Sequence, residues 1–360
     1  MIYLLLLLAI SCSTPKPEGP SMRLTLHNFP NRSSGEVKLQ AFSGLFYEGT
    51  NKSGELIFWT HSDRGPNADA IGKQRPFLWP DFVPTITQFK LNISTGEIVY
   101  LKETALTMPD GKNISGLPNS TKDETPITMN SEVLPYNTMG MDAEAICLVD
   151  NHLWLADEYG PSLFKFNLDG VLVKRFVPTG HISRKHELVR ETFSTDLMTR
   201  ELNRGFEGMT CTNDKIYLAL QSPLPHEKQN VRIIEFDIKS ESVKRTLLYP
   251  LDSMDTDKIG DLAVYQGELL VLEQNKSIHN VYAVDFANSK KNEPMKKRLF
   301  VDLVKEGFDF AEKIEGITIV ENKYLAVLND NDFGLTGNIN SDKTPEIDPK
   351  KISVLGMIKL

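Results

Sequence analysis

Carboxylate and amide side chains recur at a fixed spacing along this chain. The pairs are Glu144 and Glu158, Glu207 and Gln221, and Glu315 and Asn329, each separated by 14 residues. The first member opens an apolar segment, and the second closes another that follows a short polar turn. If the two segments are antiparallel strands, both residues finish at one edge of the hairpin. Several buried carboxylates at one edge would repel each other, so a cation is expected among them.

The ligand types indicate which cation this would be. Carboxylate and amide oxygens, with no cysteine and few histidines nearby, suit a hard cation that takes six to eight oxygen ligands, which favours Ca²⁺ over Mg²⁺ or Zn²⁺. The predicted metal ligands are Glu144, Glu207, Asp261 and Glu315. The alternative is that these side chains are structural and pair with Arg64, Arg204 or Lys313.

A second cluster lies in the segment FWTHSDRGPN, residues 58–67, where an apolar strand runs into a Gly-Pro turn. His61 is a candidate general base, Asp63 a candidate proton acceptor or cation ligand, and Arg64 a candidate phosphate ligand. In a simpler interpretation, His61 is a satisfied core histidine, and Asp63 and Arg64 bond within their own loop. The remaining candidates are Asp157 and Glu158 for catalysis, at the matching place in the next unit, and Arg75 and Arg204 for substrate binding.

Repeated hairpins must position these residues. Apolar and polar residues alternate in paired segments that begin near residues 43, 144, 207, 261 and 315, and the last three starts are 54 residues apart. Four strands per unit predict an all-β fold, a five-bladed β-propeller, with six blades as the alternative if residues 105–141 are not a loop. The segment MRLTLHNFP is predicted to supply the missing outer strand of the last blade. Helical spacing of apolar residues predicts one helical insertion at 183–203.

The first twelve residues, MIYLLLLLAISC, have the length and composition of a signal sequence. We expect a signal peptide at 1–11, a linker at 12–21 lipidated on Cys12, and a single propeller domain at 22–360, in a monomer of the bacterial cell envelope. An ordinary cleaved signal and an uncleaved anchor are the alternatives. With 48 acidic and 40 basic residues and a net charge of −8, the chain lacks the basic excess of a nucleic-acid-binding protein. Cys147 and Cys211 are predicted to be small apolar core residues.

Several motifs resemble one known family. SDRGPN (62–67), DAEAI (142–146), LWLADEYGPSLFKFNLDG (153–170), RGFEGMT (204–210) and IEGITI (314–319) resemble the phytase-like domain, also called esterase-like activity of phytase, here of bacterial lipoprotein type. The resemblance implies a secreted or envelope-anchored propeller whose acidic residues serve phosphoester hydrolysis. This sequence departs from the family pattern at Asp261, where a Glu is expected, and at Ser43.

Three functions remain open. The first is a Ca²⁺-dependent phosphoesterase that acts on a small, phosphorylated molecule. The second is a non-catalytic propeller with a structural Ca²⁺ that binds a ligand or protein, and the third is a lactone or carboxylic ester hydrolase. Several cations converging at the mouth of the site would favour the phosphoesterase, whereas an apolar rim would favour the lactonase.

Overall fold

Each of the five repeat units folds as a sheet built around four antiparallel strands. The computed structural model describes residues 24–252, 258–290 and 293–360. The strands from the axis outward are Ser43–Thr50, Leu56–His61, Thr85–Asn92 and Glu97–Ala105 in blade one, Ala143–Val149, His152–Asp157, Ser162–Asn167 and Leu172–Pro178 in blade two, Phe206–Cys211, Lys215–Leu220, Asn230–Asp237 and Ser242–Pro250 in blade three, Lys258–Tyr265, Glu268–Gln274, His279–Val284 and Lys297–Asp302 in blade four, and Ile314–Val320, Tyr324–Asn329, Val354–Lys359 and Leu24–Asn28 in blade five. This confirms the all-β fold and the five-bladed propeller.

The N-terminal strand closes the ring, as predicted. Leu24–Asn28 forms the outer strand of blade five and pairs antiparallel with Val354–Lys359, with Leu24 opposite Ile358 and Asn28 opposite Val354. The two ends of the described part of the chain are thereby joined through one sheet, which completes the four antiparallel strands of blade five.

The apolar core lies between neighbouring blades. Alternating strands present one apolar face to each neighbour, so Leu270 and Leu272 of blade four pack with Ile317 and Leu325 of blade five in one buried cluster. Equivalent clusters join blade five to blade one, blade one to blade two, and blades two, three and four. The inner strands are therefore held around a common axis from both sides.

The predicted helix at 183–203 is wrong. Val189–Phe193 is a fifth strand of blade two that pairs parallel with Leu172–Pro178, and a short 3-10 helix covers Thr195–Thr199. Of the spaced apolar residues that suggested a helix, Phe193 is buried from the strand and Leu197 from the 3-10 helix, both in the core between blades two and three. An open strand edge offers backbone hydrogen bonds that outweigh a weak helical pattern.

Further connections cover one face of the ring. Residues 105–141 form no sixth blade; most of this stretch is loop, and Thr125–Thr128 pairs parallel with Gln74–Phe77 in a small separate sheet. Two short hairpins, Ser33–Ser34 with Val37–Lys38 and Leu335–Ile339 with Pro345–Ile347, complete the strands. A second 3-10 helix spans Asp332–Gly334.

Within the described part of the chain, no helix has the length and apolar character needed to cross a membrane. The predicted signal peptide, linker and Cys12 lie outside the described residues.

Candidate functional site: a buried carboxylate cluster at the propeller axis

A β-bulge near the start of the inner strand places the glutamates. In blade two, Ala143 pairs with Asp157 and Ala145 with Ala156, so Glu144 is the extra residue between them. Glu207 and Glu315 occupy the same bulge in blades three and five. A bulge turns a side chain out of the regular alternation of a strand. The same bulge occurs in blades two, three and five.

These three glutamates converge. One carboxylate oxygen from each of Glu144, Glu207 and Glu315 lies within 4.8 Å of the others, and the three residues are only 7%, 2% and 6% exposed. Burial and then the neighbouring carboxylates raise the pKa values of Glu144 and Glu207 well above their usual range. Among the described residues, the buried Glu207 Oε2 has no hydrogen-bond partner.

One lysine partly offsets this charge. Lys258 Nζ lies 3.8 Å from Glu315 Oε1. Three ionised glutamates and this lysine leave a local charge of −2, which one divalent cation would neutralise. The donor set, three oxygen ligands of which one is unpartnered and buried, therefore fits a hard cation such as Ca²⁺.

Asp261 falls outside this cluster. Blade four pairs Ile259 with Glu273 and Leu262 with Val271, so its bulge contains Gly260 and Asp261. Asp261 Oδ1 accepts a hydrogen bond from the Met209 backbone N–H (3.1 Å) and Oδ2 accepts one from Ile317 (2.8 Å). Asp261 thus ties the inner strands of blades three and five together, and we do not count it among the metal ligands.

Glycine takes the glutamate position in blade four, and blade one has Gly44 in its own bulge. A Cβ built on Gly260 would lie 2.6 Å from Gln274 Nε2, and this amide bonds to both the N–H and the C=O of Ile314. A Cβ on Gly44 would lie 2.7 Å from His61 Nε2. In blades four and one, the Gln274 and His61 side chains occupy the space beside these glycines. The cluster is therefore formed by the three glutamates of blades two, three and five.

A second acidic group shares Glu144. Single oxygens of Asp142, Glu144 and Glu158 also lie within 4.8 Å of one another. Burial raises the pKa values of Asp142 and Glu158 to about 7, with further contributions from charged neighbours. Glu158 Oε1 accepts a hydrogen bond from Gln221 Nε2 at 2.8 Å, and Arg204 binds the oxygen of the same amide. Glu158 is therefore a carboxyl that can exchange a proton near neutral pH.

Arg64 borders this second group. Its Nη1 lies 2.9 Å from Asp142 Oδ2 and 3.4 Å from Glu124 Oε2, and it donates to Asn203 Oδ1 at 2.6 Å. The buried Arg64 Nε has no hydrogen-bond partner among the described residues. The guanidinium is therefore held in place by its Nη1 contacts, and its buried Nε–H is left without an acceptor among the described residues.

The loop at 105–141 is anchored over the site by ion pairs. Arg75 forms a two-point contact with Glu124, 2.6 Å from Nη2 to Oε1 and 2.9 Å from Nε to Oε2. The adjacent Asp123 pairs with Arg200, whose Nε also donates to the carbonyl of Glu158 at 3.3 Å. Arg75 and Arg204 thus hold other side chains of the site, in addition to any role in substrate binding.

Two of the predicted catalytic residues are enclosed by the fold. Asp157 is fully buried and accepts hydrogen bonds from Ser162 Oγ (2.6 Å), the Asp142 N–H (3.0 Å) and Arg175 (3.2 Å). His61 is fully buried, its Nδ1–H donates to the Ser62 carbonyl, and burial lowers its pKa to about 4. We assign neither of them a proton transfer.

A polar cavity of about 190 Å³ opens beside the acidic groups. Asp63 and Arg64 reach it from the end of the second strand of blade one. Its wall carries five cations, namely Arg64, Arg75, Lys276, Lys313 and Lys351. Asp63 is half-buried, and burial raises its pKa to about 6. Four carboxylates, Asp63, Asp69, Glu312 and Asp332, also line it, so the mouth of the site is polar and carries charges of both signs.

Sequence reasoning missed Asp142, Lys258 and Glu124 as parts of the site. Asp142 and Lys258 each stand two residues before the bulge position of their blade, and so does Lys313 in blade five. Aligning KIGDLAV with KIEGITI would have placed Lys258 with Lys313, and Gly260 with Glu315. Glu124 lies in a loop without repeat partners, and no local pattern marks it.

The comparisons with known proteins agree with the repeat pattern. Residues 37–333 match the family described as Phytase-like: Esterase-like activity of phytase. An "Uncharacterized secreted protein" of Arthroderma benhamiae is 27% identical over 239 residues, which are 54% of this chain and 47% of that protein. This chain thus spans about half the length of the curated relative that it matches, and the secreted relative is consistent with an extracellular or envelope location.

Solved structures with a similar arrangement are distant in sequence. An aldose sugar dehydrogenase of Streptomyces coelicolor aligns over 94% of this chain and 100% of its own with a TM-score of 0.37 and 9% identity. The nidogen/laminin complex aligns over 90% of this chain and 88% of the matched chain with a TM-score of 0.39 and 11% identity. Neither likeness bears on function.

Proposed function

We propose a calcium-dependent phosphoesterase function for this chain, which belongs to the phytase-like family. The observation that carries the proposal is the convergence of Glu144, Glu207 and Glu315, and a cavity lined by arginine, lysine and carboxylate side chains supports it. The link between the two is Arg64, which contacts Asp142 of the acidic groups and also lines the cavity.

Glu144, Glu207 and Glu315 would hold the cation. When bound, Ca²⁺ would polarise a phosphoryl oxygen and lower the pKa of a bound water. Lys258 would remain beside Glu315 and keep the local charge from exceeding what one divalent cation can balance.

The chain's own groups would bind the phosphate and move the protons. Arg64, which lines the cavity, would donate to a phosphoryl oxygen as negative charge develops there. Glu158, whose carboxylate lies within 4.8 Å of those of Asp142 and Glu144, would accept a proton from the attacking water. Asp63, at the cavity wall with a pKa raised to about 6, would donate a proton to the leaving oxygen.

The charged side chains that line the cavity favour phosphoester hydrolysis over lactone hydrolysis. Five cationic side chains and four carboxylates line the cavity, whereas a lactone would need no cations there and would gain from an apolar rim.

A hydrolysis screen tests this function. The purified chain is incubated with an aryl phosphomonoester, a bis-aryl phosphodiester and an aryl-substituted lactone, each with calcium and with excess chelator. We expect calcium-dependent release of phosphate or phenol from at least one phosphoester and none from the lactone. Turnover of the lactone alone, or of nothing at any calcium concentration, contradicts the proposal.

The stability of the metal-free chain should depend on pH through Glu158. Its pKa is raised from 4.5 to about 7 in the folded state, so the folded chain binds this proton more tightly than the unfolded chain. The resulting stabilisation is complete below pH about 4.5 and is lost as the pH rises through about 7, by up to about 3 kcal/mol. We expect Glu158→Gln to reduce this loss by a similar amount, as measured by urea unfolding in chelator from pH 4.5 to 8.

The control for this experiment is Glu132→Gln, because Glu132 is exposed. This variant should follow the wild-type pH profile. A Glu158→Gln profile parallel to that of the wild type would contradict the assignment of a near-neutral proton to Glu158.

Location can be tested through Cys12. If Cys12 carries a lipid, the native chain should partition into the detergent phase, and Cys12→Ser should move it to the aqueous phase without changing its melting temperature. Fractionation of native membranes and detergent phase separation measure this directly. A Cys12→Ser chain that still sediments with membranes would contradict lipid anchoring at this residue.

A further inference from the structure

The two cysteines in the described part of the chain lie on neighbouring inner strands, further along the axis than the carboxylates. Cys147 lies on the inner strand of blade two, three residues or about 10 Å beyond Glu144, and Cys211 ends the inner strand of blade three. Both sulfhydryls are free. Both residues pack in the apolar cluster between blades two and three, with Cys147 inside it and Cys211 against it, and the Cys211 thiol contributes to the raised pKa of Cys147.

Their surroundings differ from those of ordinary packed cysteines. Both residues line a cavity of about 150 Å³ to which the inner strands of all five blades contribute. Cys147 is buried, whereas Cys211 is half-buried, so a small reagent can reach Cys211 first. Two cysteines that served only as small apolar residues would need neither a shared position between the same two blades nor an open cavity beside them.

We propose that Cys147 and Cys211 are a redox-active pair, which closes to a disulfide between blades two and three when the chain meets a disulfide donor such as oxidised glutathione. A secreted or envelope protein meets such oxidising conditions. The disulfide would link adjacent inner strands directly, in a ring whose blades are otherwise joined there by packing and by side-chain contacts such as those of Asp261 and Gln274.

The reaction proceeds by two thiol–disulfide exchanges. The Cys211 thiolate attacks one sulfur of oxidised glutathione, which forms a mixed disulfide and releases one glutathione thiolate. The Cys147 thiolate then attacks Cys211 Sγ and releases the second glutathione. The two protons from the cysteines end on the two glutathione thiols, and glutathione disulfide is the oxidant reduced. Burial and then the Cys211 thiol raise the pKa of Cys147 well above its usual value, so the first attack begins from Cys211.

The test uses the Cys12→Ser chain, in which Cys147 and Cys211 are the only cysteines of three that remain. The folded chain is incubated with oxidised glutathione, quenched with acid, and examined by thiol titration in denaturant, intact mass and peptide mapping. We expect loss of both thiols, a mass lower by two hydrogens, no retained glutathione, and a linked peptide pair. The melting temperature should rise by about 5 °C and return after reduction.

Two variants separate this pairing from accidental oxidation. Cys147→Ser should retain one glutathione on Cys211, because no second thiol is present to release it, and Cys211→Ser should react far more slowly. If the folded Cys12→Ser chain keeps both thiols, or keeps one or two bound glutathiones, the proposal is overturned.

Discussion

Replacing Glu144 and Glu207 together by glutamine is expected to abolish the stabilisation of this chain by calcium and to lower phosphoesterase activity at least a thousandfold. Two of the three converging carboxylates would become neutral, and metal affinity depends strongly on the charge of its ligands. Wild type at a calcium concentration about 100 times its Kd should gain about 2.7 kcal/mol. The double variant should gain nothing measurable.

Without metal, the same double variant should be more stable than the wild type. In chelator, the wild type holds buried carboxylates that repel each other and that burial disfavours when ionised. Glutamine removes that cost, so the metal-free double variant should unfold at a higher temperature than the metal-free wild type at pH 8. Differential scanning calorimetry with and without calcium measures both the lost calcium stabilisation and the gain in metal-free stability.

Asp261→Asn is the matched control. Asp261 binds backbone N–H groups of blades three and five rather than the cluster. This variant should lose stability equally with and without calcium while it keeps the calcium-induced shift. If Asp261→Asn abolishes the shift and the double glutamine variant retains it, the assignment of the ligands is contradicted.

Arg64→Ala is expected to reduce phosphoester hydrolysis ten- to a hundredfold and also to destabilise the fold. A charge-assisted hydrogen bond made mainly in the transition state is worth about 1.5 to 3 kcal/mol. Removing the guanidinium also leaves Asp142 buried without its ion-pair partner at 2.9 Å, which costs about 3 to 5 kcal/mol of stability.

A double variant separates these two effects. Arg64→Ala with Asp142→Asn removes the buried charge that was left unpaired, so it should recover most of the stability that Arg64→Ala alone loses. It should not recover activity, because the donor to the phosphoryl oxygen is still absent. Urea unfolding and kcat/KM measured on one phosphoester give the two readouts, and full activity in Arg64→Ala would contradict a role for Arg64 in the reaction.

The repeats predicted the fold because each blade repeats the same alternation. The hairpins near 144, 207 and 315, and the return of the N-terminal strand to blade five, follow from strand periodicity and turn residues. The helix at 183–203 was mispredicted because its apolar spacing is also met by a strand and a 3-10 turn, and the open edge of Leu172–Pro178 decides between them. That edge is a property of the assembled sheet and cannot be read from the segment itself.

The site was predictable where the bulge and the repeat coincide. Glu144, Glu207 and Glu315 share both position and residue type, so spacing alone identified them. Asp261 shares the residue type but stands one place later, after Gly260, and the choice of a carboxylate as the marker of the repeat led to the wrong alignment. Asp142 and Glu124 reach Arg64 through contacts over 78 and 60 residues of chain, which no local pattern encodes.

The central claim is that one hard cation binds among Glu144, Glu207 and Glu315, and a metal-soaked crystal tests it most directly. Crystals of the wild type are soaked with a lanthanide as a calcium surrogate, and an anomalous difference map locates the ion. The account predicts one strong peak bonded to oxygens of all three glutamates, with Lys258 beside Glu315. A map with no peak there, and with Lys258 Nζ bonded among the three carboxylates, would contradict it.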